Sequence, residues 1–93
     1  MRLSDLLSDG MVLQRDAEAA VWGTTRPLHR VRVEFLDRTW ETKADDQGRW
    51  KVVLQNLPPG GPHEMRIVDE GGEELIIRDV LVGDVWVLGG QSN

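Results

Sequence analysis

The chain has 93 residues, 40% hydrophobic and 29% charged, with 16 Asp and Glu against 11 Lys and Arg for a formal net charge of -5. That length suits a single hydrophobic core. No apolar stretch reaches the length of a membrane-spanning helix, and an acidic chain without a sequence cluster of Lys and Arg repels phosphate backbones, so neither membrane nor nucleic acid is expected as a partner.

From the start of the chain, "LSDLLSD" reads as an irregular apolar lead-in rather than a helix, and "MRLSDLLSDG" has no apolar core of signal-peptide length, so nothing in it directs export. Short strands are then predicted near Met11 to Gln14 and Ala19 to Gly23. In "RVRVEFLD", Val31, Val33 and Phe35 alternate with Arg30, Arg32 and Glu34, the period-two pattern of a strand with one buried and one wet face. Trp40 to Lys43 follows as a strand. Arg49 to Leu54 is another, with Trp50, Val52 and Leu54 facing inward. Glu64 to Val68 and Leu75 to Arg78 complete the alternating set.

Turn chemistry separates these runs at "ADDQG", "NLPPGGP" and "DEGGEE", where Gly supplies positive φ, Pro fixes φ, and Asp or Asn caps the turn through its side chain. Strands this short, at this spacing, imply an all-β fold. An antiparallel β-sandwich, Ig-like or jelly-roll-like, is the architecture expected, with a small barrel as the alternative closure.

The last predicted strand, Val82 to Leu88, departs from the pattern because Val85, Trp86, Val87 and Leu88 are all apolar. A continuous apolar run suits a strand covered on both faces, as in a parallel sheet. This strand is therefore expected to belong to a different sheet, and an uncovered Val85 to Leu88 segment is expected to promote self-association of the chain. After it comes "GGQSN". A serine just past the carboxyl end of such a strand has an exposed hydroxyl beside backbone N–H donors, the placement of a nucleophile with an oxyanion site. Ser92 occupies it, although G-x-S-x-G is only half matched.

Several segments together resemble one family. "LSDGMVLQRD", "VWG" at Val21 to Gly23, Asp45-x-x-Gly48-x-Trp50, "LPPGGPHEMRI" at Leu57 to Ile67 and "DVLVGDVWVLGGQSN" at the end occur in the order found in the amino-terminal part of sialate O-acetylesterases, carbohydrate esterases of the SGNH (GDSL-like) group. The resemblance implies an accessory β-sandwich over residues 1–80 and the start of an SGNH hydrolase domain over residues 81–93. It implies that Ser92 is the nucleophile and its backbone N–H one oxyanion donor, with the other oxyanion residues and an Asp-x-x-His base in blocks that this chain does not contain. It also implies an O-acetylated sugar such as sialic acid as substrate, no metal or organic cofactor, packing of the sandwich on the hydrolase domain, and a periplasmic or secreted location. Leu88 and Gly89 depart from the "CSGQSNM" common in relatives. The reading from another class is a non-catalytic carbohydrate-binding or structural sandwich.

The other candidates have plainer expectations. His29 and His63 each follow a proline-containing turn and are expected as exposed turn histidines; a serine without a hydrogen-bonded base is a weak nucleophile. Trp50 is expected in the core, Trp22 and Trp86 packed between sheets or domains, and Trp40 exposed, where it is the one candidate for stacking on sugar. The pairs Asp45 with Asp46 and Glu73 with Glu74 are expected in solvated turns, with adjacent side chains diverging rather than sharing a proton. "ADDQG" lacks the spaced ligands of a calcium loop. With no Cys and two isolated His, no zinc site is expected either.

Overall fold

The computed structural model describes residues 1–4, 7–14 and 18–83. These form strands β1 (Arg2–Leu3), β2 (Val12–Gln14), β3 (Ala19–Thr24), β4 (Arg30–Phe35), β5 (Arg38–Lys43), β6 (Arg49–Leu54), β7 (Gly60–Asp69) and β8 (Glu74–Gly83), without a helix among the described residues. A three-stranded sheet runs β1-β3-β6, and a five-stranded sheet runs β2-β8-β7-β4-β5. The chain changes sheet between β1 and β2, β2 and β3, β3 and β4, β5 and β6, and β6 and β7.

Period-two patterning drives this arrangement. Val21 from β3 and Trp50, Val52 and Leu54 from β6 are buried from one sheet, and Val31, Val33, Phe35, Met65, Ile67, Ile77, Val80 and Val82 from the other. They join Leu57 and Ala44 in one continuous apolar cluster between the sheets, the layered core of a sandwich. Alternate residues such as Arg30, Arg32, Lys51 and Arg66 are exposed. Every described pair of strands is antiparallel except β2 with β8, which is parallel, Leu13 lying opposite Val82.

Three departures from the expected elements have physical causes. Phe35 pairs with Arg38, so Leu36 and Asp37 form a two-residue hairpin with φ of 56° and 58°. This tight turn needs positive φ at both residues, and Leu36 gives no sequence signal of that, so β5 begins earlier than expected. β7 begins at Gly60, inside "NLPPGGP". Pro62 is tolerated because β4 pairs only with Arg66 to Asp69, leaving that side of β7 unpaired at Pro62. A Cβ at Gly61 would lie 2.9 Å from both the Val80 carbonyl oxygen and Leu81 Cδ2, and its φ of 130° also favours glycine.

The third departure is in β8. Met65 pairs with Ile77 but His63 with Val80, so β8 carries one residue more than β7 across this step. Asp79 has a φ of 57°, and Arg78 and Asp79 are both exposed. This is a β-bulge. The bulge moves the buried set from Ile77 to Val80 and Val82, which makes one long strand read as two in the sequence. The backbone of Arg78 is satisfied elsewhere: its N–H donates to Asp9 Oδ1 at 2.8 Å, and its carbonyl accepts from Gly10 N at 2.8 Å. Leu81 to Gly83 thus continue β8 in the five-stranded sheet. Of the strand expected over Val82 to Leu88 in a different sheet, Val82 and Gly83 instead belong to β8, held by pairing with β2; residues 84–88 with Trp86, and Ser92 with its "GGQSN", lie outside the described residues.

Candidate functional site

β8 carries the chain from the bulge to Gly83 between β7 and β2, with Val80 and Val82 buried in the core. That anchors the segment leading toward Ser92, whose own geometry lies outside the described residues. The described titratable groups of the sandwich can be placed individually, and among them no imidazole is paired with a hydroxyl nucleophile.

Asp69, at the end of β7, is 4% exposed and is the buried charged residue among those described. Its carboxylate accepts hydrogen bonds from the Thr25 hydroxyl and from Gly71 N at 2.6 Å. His29 Nδ1 lies 3.1 Å from each carboxylate oxygen. Burial on its own pushes the Asp69 carboxyl up, but the bonds from Thr25, the Gly71 N–H and His29 outweigh it and hold the group below the usual carboxylate range. An ionised Asp69 makes Nδ1 the protonated nitrogen of His29. In a hydroxyl nucleophile the proton must pass to imidazole; here the Thr25 hydroxyl and the imidazole both spend their donors on the same carboxylate. The cluster is a tie between the β3–β4 connection and the β7–β8 turn, reinforced by Arg30 N donating to Glu70 Oε1 at 2.6 Å and Glu70 N to the Arg30 carbonyl at 2.9 Å.

A pH dependence follows. Because the folded pKa of Asp69 is lowered from 3.8, its contribution to stability is complete above the unfolded value and is lost as pH falls through the folded one. Asp69→Asn should therefore lower stability at neutral pH by about 1–3 kcal/mol, the range for hydrogen bonds to a charged group. It should also flatten the acid limb of the stability curve. Urea unfolding at pH 7 and pH 3 reads both effects; equal acid sensitivity in variant and wild type would show that Asp69 is not the group responsible.

The remaining candidates divide. His63 is not in an exposed turn: it lies in β7, half-buried, with its ring edge-on to Phe35 at a centroid distance of 5.6 Å and an angle of 89°. His29 is likewise half-buried and partnered. Asp45 lies in the expected turn, accepting from Arg49 N at 2.8 Å and Gln47 N at 2.9 Å. The Arg49 backbone bond leads the causes that lower its pKa. Asp46, Glu73 and Glu74 are exposed, and no group of His, Asp and Glu among the described residues is arranged to hold a metal ion.

Two tryptophans depart from expectation, Trp40 from exposure and Trp22 from packing between the sheets. Trp40 is half-buried against the core, and the Arg38 guanidinium sits 4.6 Å from its ring centroid, occupying the face a sugar would need. Arg38 is fixed there by bonds to the carbonyls of Gln55 at 3.1 Å and Asn56 at 3.3 Å. Trp22 does not pack between the sheets; on β3 the buried residues are Ala19 and Val21, so Trp22 points outward, half-buried and directly opposite exposed Lys51 of β6. Alternation from Val21 is the signal that places it there.

Comparison with known proteins adds relatives to this geometry. No protein-family model matches the chain. The sialate O-acetylesterase of Pongo abelii is 34% identical over 103 aligned residues, 99% of this chain and 20% of that protein. A carbohydrate acetylesterase from Xanthomonas citri, solved by crystallography, is similar with a TM-score of 0.84 and 49% identity, over 90% of this chain and 19% of that one. The extracellular domain of mouse leukocyte-associated immunoglobulin-like receptor 1, at 10% identity and a TM-score of 0.60, shares the fold alone and shows its Ig-like character. The chain thus spans about one fifth of the length of the esterases it matches.

Proposed function

The chain belongs to the sialate O-acetylesterase family, spanning about one fifth of its relatives' length, and on that premise we propose that it is the accessory sandwich and nucleophile segment of a serine esterase acting on O-acetylated sugars. The sandwich runs through Gly83 at the end of β8, three residues past the expected boundary at 80, and the residues after it lead into a hydrolase domain against which the sandwich packs. Ser92 is the nucleophile. Its hydroxyl attacks the acetyl carbonyl, the ester bond breaks as the sugar oxygen takes the proton, and water then releases acetate from the acyl-serine. The Ser92 backbone N–H is one of the donors that hold the oxyanion. The substrate on this reading is an O-acetylated acidic sugar such as sialic acid.

The observation that carries this reading is the match over 99% of the chain to proteins of which it is only one fifth, joined to a sandwich whose described hydroxyls and imidazoles form no nucleophile–base pair. The expected result follows: the 93-residue chain alone hydrolyses 4-nitrophenyl acetate at a rate indistinguishable from its Ser92→Ala variant, because the base and the other oxyanion donors are supplied from outside it. A Ser92-dependent rate well above background in the isolated chain would overturn the division of labour proposed.

A further inference from the structure

Charge is handled differently at two places on the surface. Along β7 and β8 of the five-stranded sheet it is compensated: Arg66 hydrogen-bonds Glu74 and lies 3.2 Å from Glu34, and Arg78 lies 2.9 Å from Glu64. Around the three-stranded sheet and the neighbouring end of β5 it is not. A groove of about 680 Å³ beside β1, β3, β6 and the end of β5 is lined, among the described residues, by Trp22 together with Arg2, Lys43, Arg49 and Lys51, against one acid, Asp45. Asp45 is taken by Arg49 at 3.2 Å. Arg2, Lys43 and Lys51 have no ion pair or side-chain hydrogen bond among the described residues. A chain of net charge -5 therefore gathers unpaired cations around one outward tryptophan, from three strands and with no clustering in the sequence.

Two further features belong to the same groove. Trp50 lines its wall while sitting in the core, and its Nε1–H is a buried donor without a hydrogen-bond partner among the described residues. The β1 wall is held close because residue 23 is glycine: a Cβ there would lie 2.2 Å from the Arg2 carbonyl oxygen.

We propose that this groove is a binding site for a carboxylate-bearing sugar, with Trp22 as the apolar platform and Lys51, Arg2 and Lys43 as the cations that receive the carboxylate. An indole presents a flat apolar face with a polar edge, suited to the CH face of a pyranose, and unpaired ammonium and guanidinium groups supply charge-assisted bonds that a neutral sugar does not exploit. The choice of sugar rests on the esterase reading above. The site lies on the sandwich and its described residues form no nucleophile–base pair, so it holds an acidic glycan rather than cleaving it.

The test is a titration of the ¹⁵N-labelled chain with 3′-sialyllactose and, in parallel, lactose, following the indole N–H signals. The expected result is saturable shifts at Trp22 and Trp50 with sialyllactose and weak, non-saturating shifts with lactose. Lys51→Glu, and independently Lys43→Glu, should weaken sialyllactose binding about tenfold or more at an unchanged unfolding midpoint. Trp22→Leu should weaken it while Trp40→Leu does not. The proposal fails if no saturable shift occurs, if lactose binds equally, if the shifts centre on Trp40, or if inorganic phosphate or a short single-stranded oligonucleotide gives the same response, which would mark an unselective anion surface. Sialyllactose carries no acetyl ester, so failure here leaves the esterase reading standing, and loss of that reading leaves this binding result standing.

Discussion

Trp50→Ala should unfold the domain or bring it to the edge of unfolding. Trp50 is 4% exposed and joins the cluster that includes Val21, Val52 and Leu54. Truncating a buried tryptophan costs about 3–5 kcal/mol, against roughly 5–15 kcal/mol for a whole domain and the lower part of that range for one this small. The same residue carries the unpaired Nε1–H, whose desolvation already costs about 1–3 kcal/mol. Trp50→Phe removes three heavy atoms together with that donor and keeps the rest of the apolar contact, so it should lose clearly less than the alanine variant. Urea unfolding of the three proteins decides the matter. If alanine and phenylalanine are equally tolerated, the inner face of β6 is misassigned; if both are equally damaging, the indole N–H is contributing a bond.

The parts of this fold legible in the sequence are those where one strand face is wet and the other dry. Val31, Val33 and Phe35 in β4 and Trp50, Val52 and Leu54 in β6 alternate without interruption, and their burial follows from period two alone. Legibility fails where the backbone departs from regular pairing. The bulge at Arg78 and Asp79 shifts the inward face of β8 and splits it into two apparent strands. β1 is only Arg2–Leu3 and owes its place to β3, since Arg2 pairs with Thr24 and Leu3 with Gly23, a long-range contact that no local pattern announces. The parallel seating of β2 on β8 is hidden for the same reason.

Side-chain roles were legible to the same extent. His29, Thr25 and Asp69 meet only because the β3–β4 connection lies over the β7–β8 turn, so local context showed an exposed histidine where the fold makes a buried tie. Trp22 and Trp40 illustrate a second limit. Neighbouring apolar residues suggested burial for Trp22, yet alternation within β3 turns it outward, and Arg38 covers the tryptophan that polar neighbours had suggested was exposed. The expectation that Ser92 is a nucleophile rests on a different kind of signal: "GGQSN" is read from residue types and their resemblance, depends on none of the strand geometry described, and lies outside the described residues.

The most direct test of the central claim is hydrolysis of an O-acetylated sialic acid by the full-length protein, compared with its Ser92→Ala variant. Removing a serine nucleophile from an intact base and oxyanion site lowers kcat by about 10⁴-fold or more, because the remaining groups no longer have a covalent step to assist. The account predicts a loss of that size with the unfolding midpoint unchanged. A Ser92→Ala protein that retained hydrolysis within about tenfold of wild type, a difference of only ~1.4 kcal/mol in barrier, would contradict it.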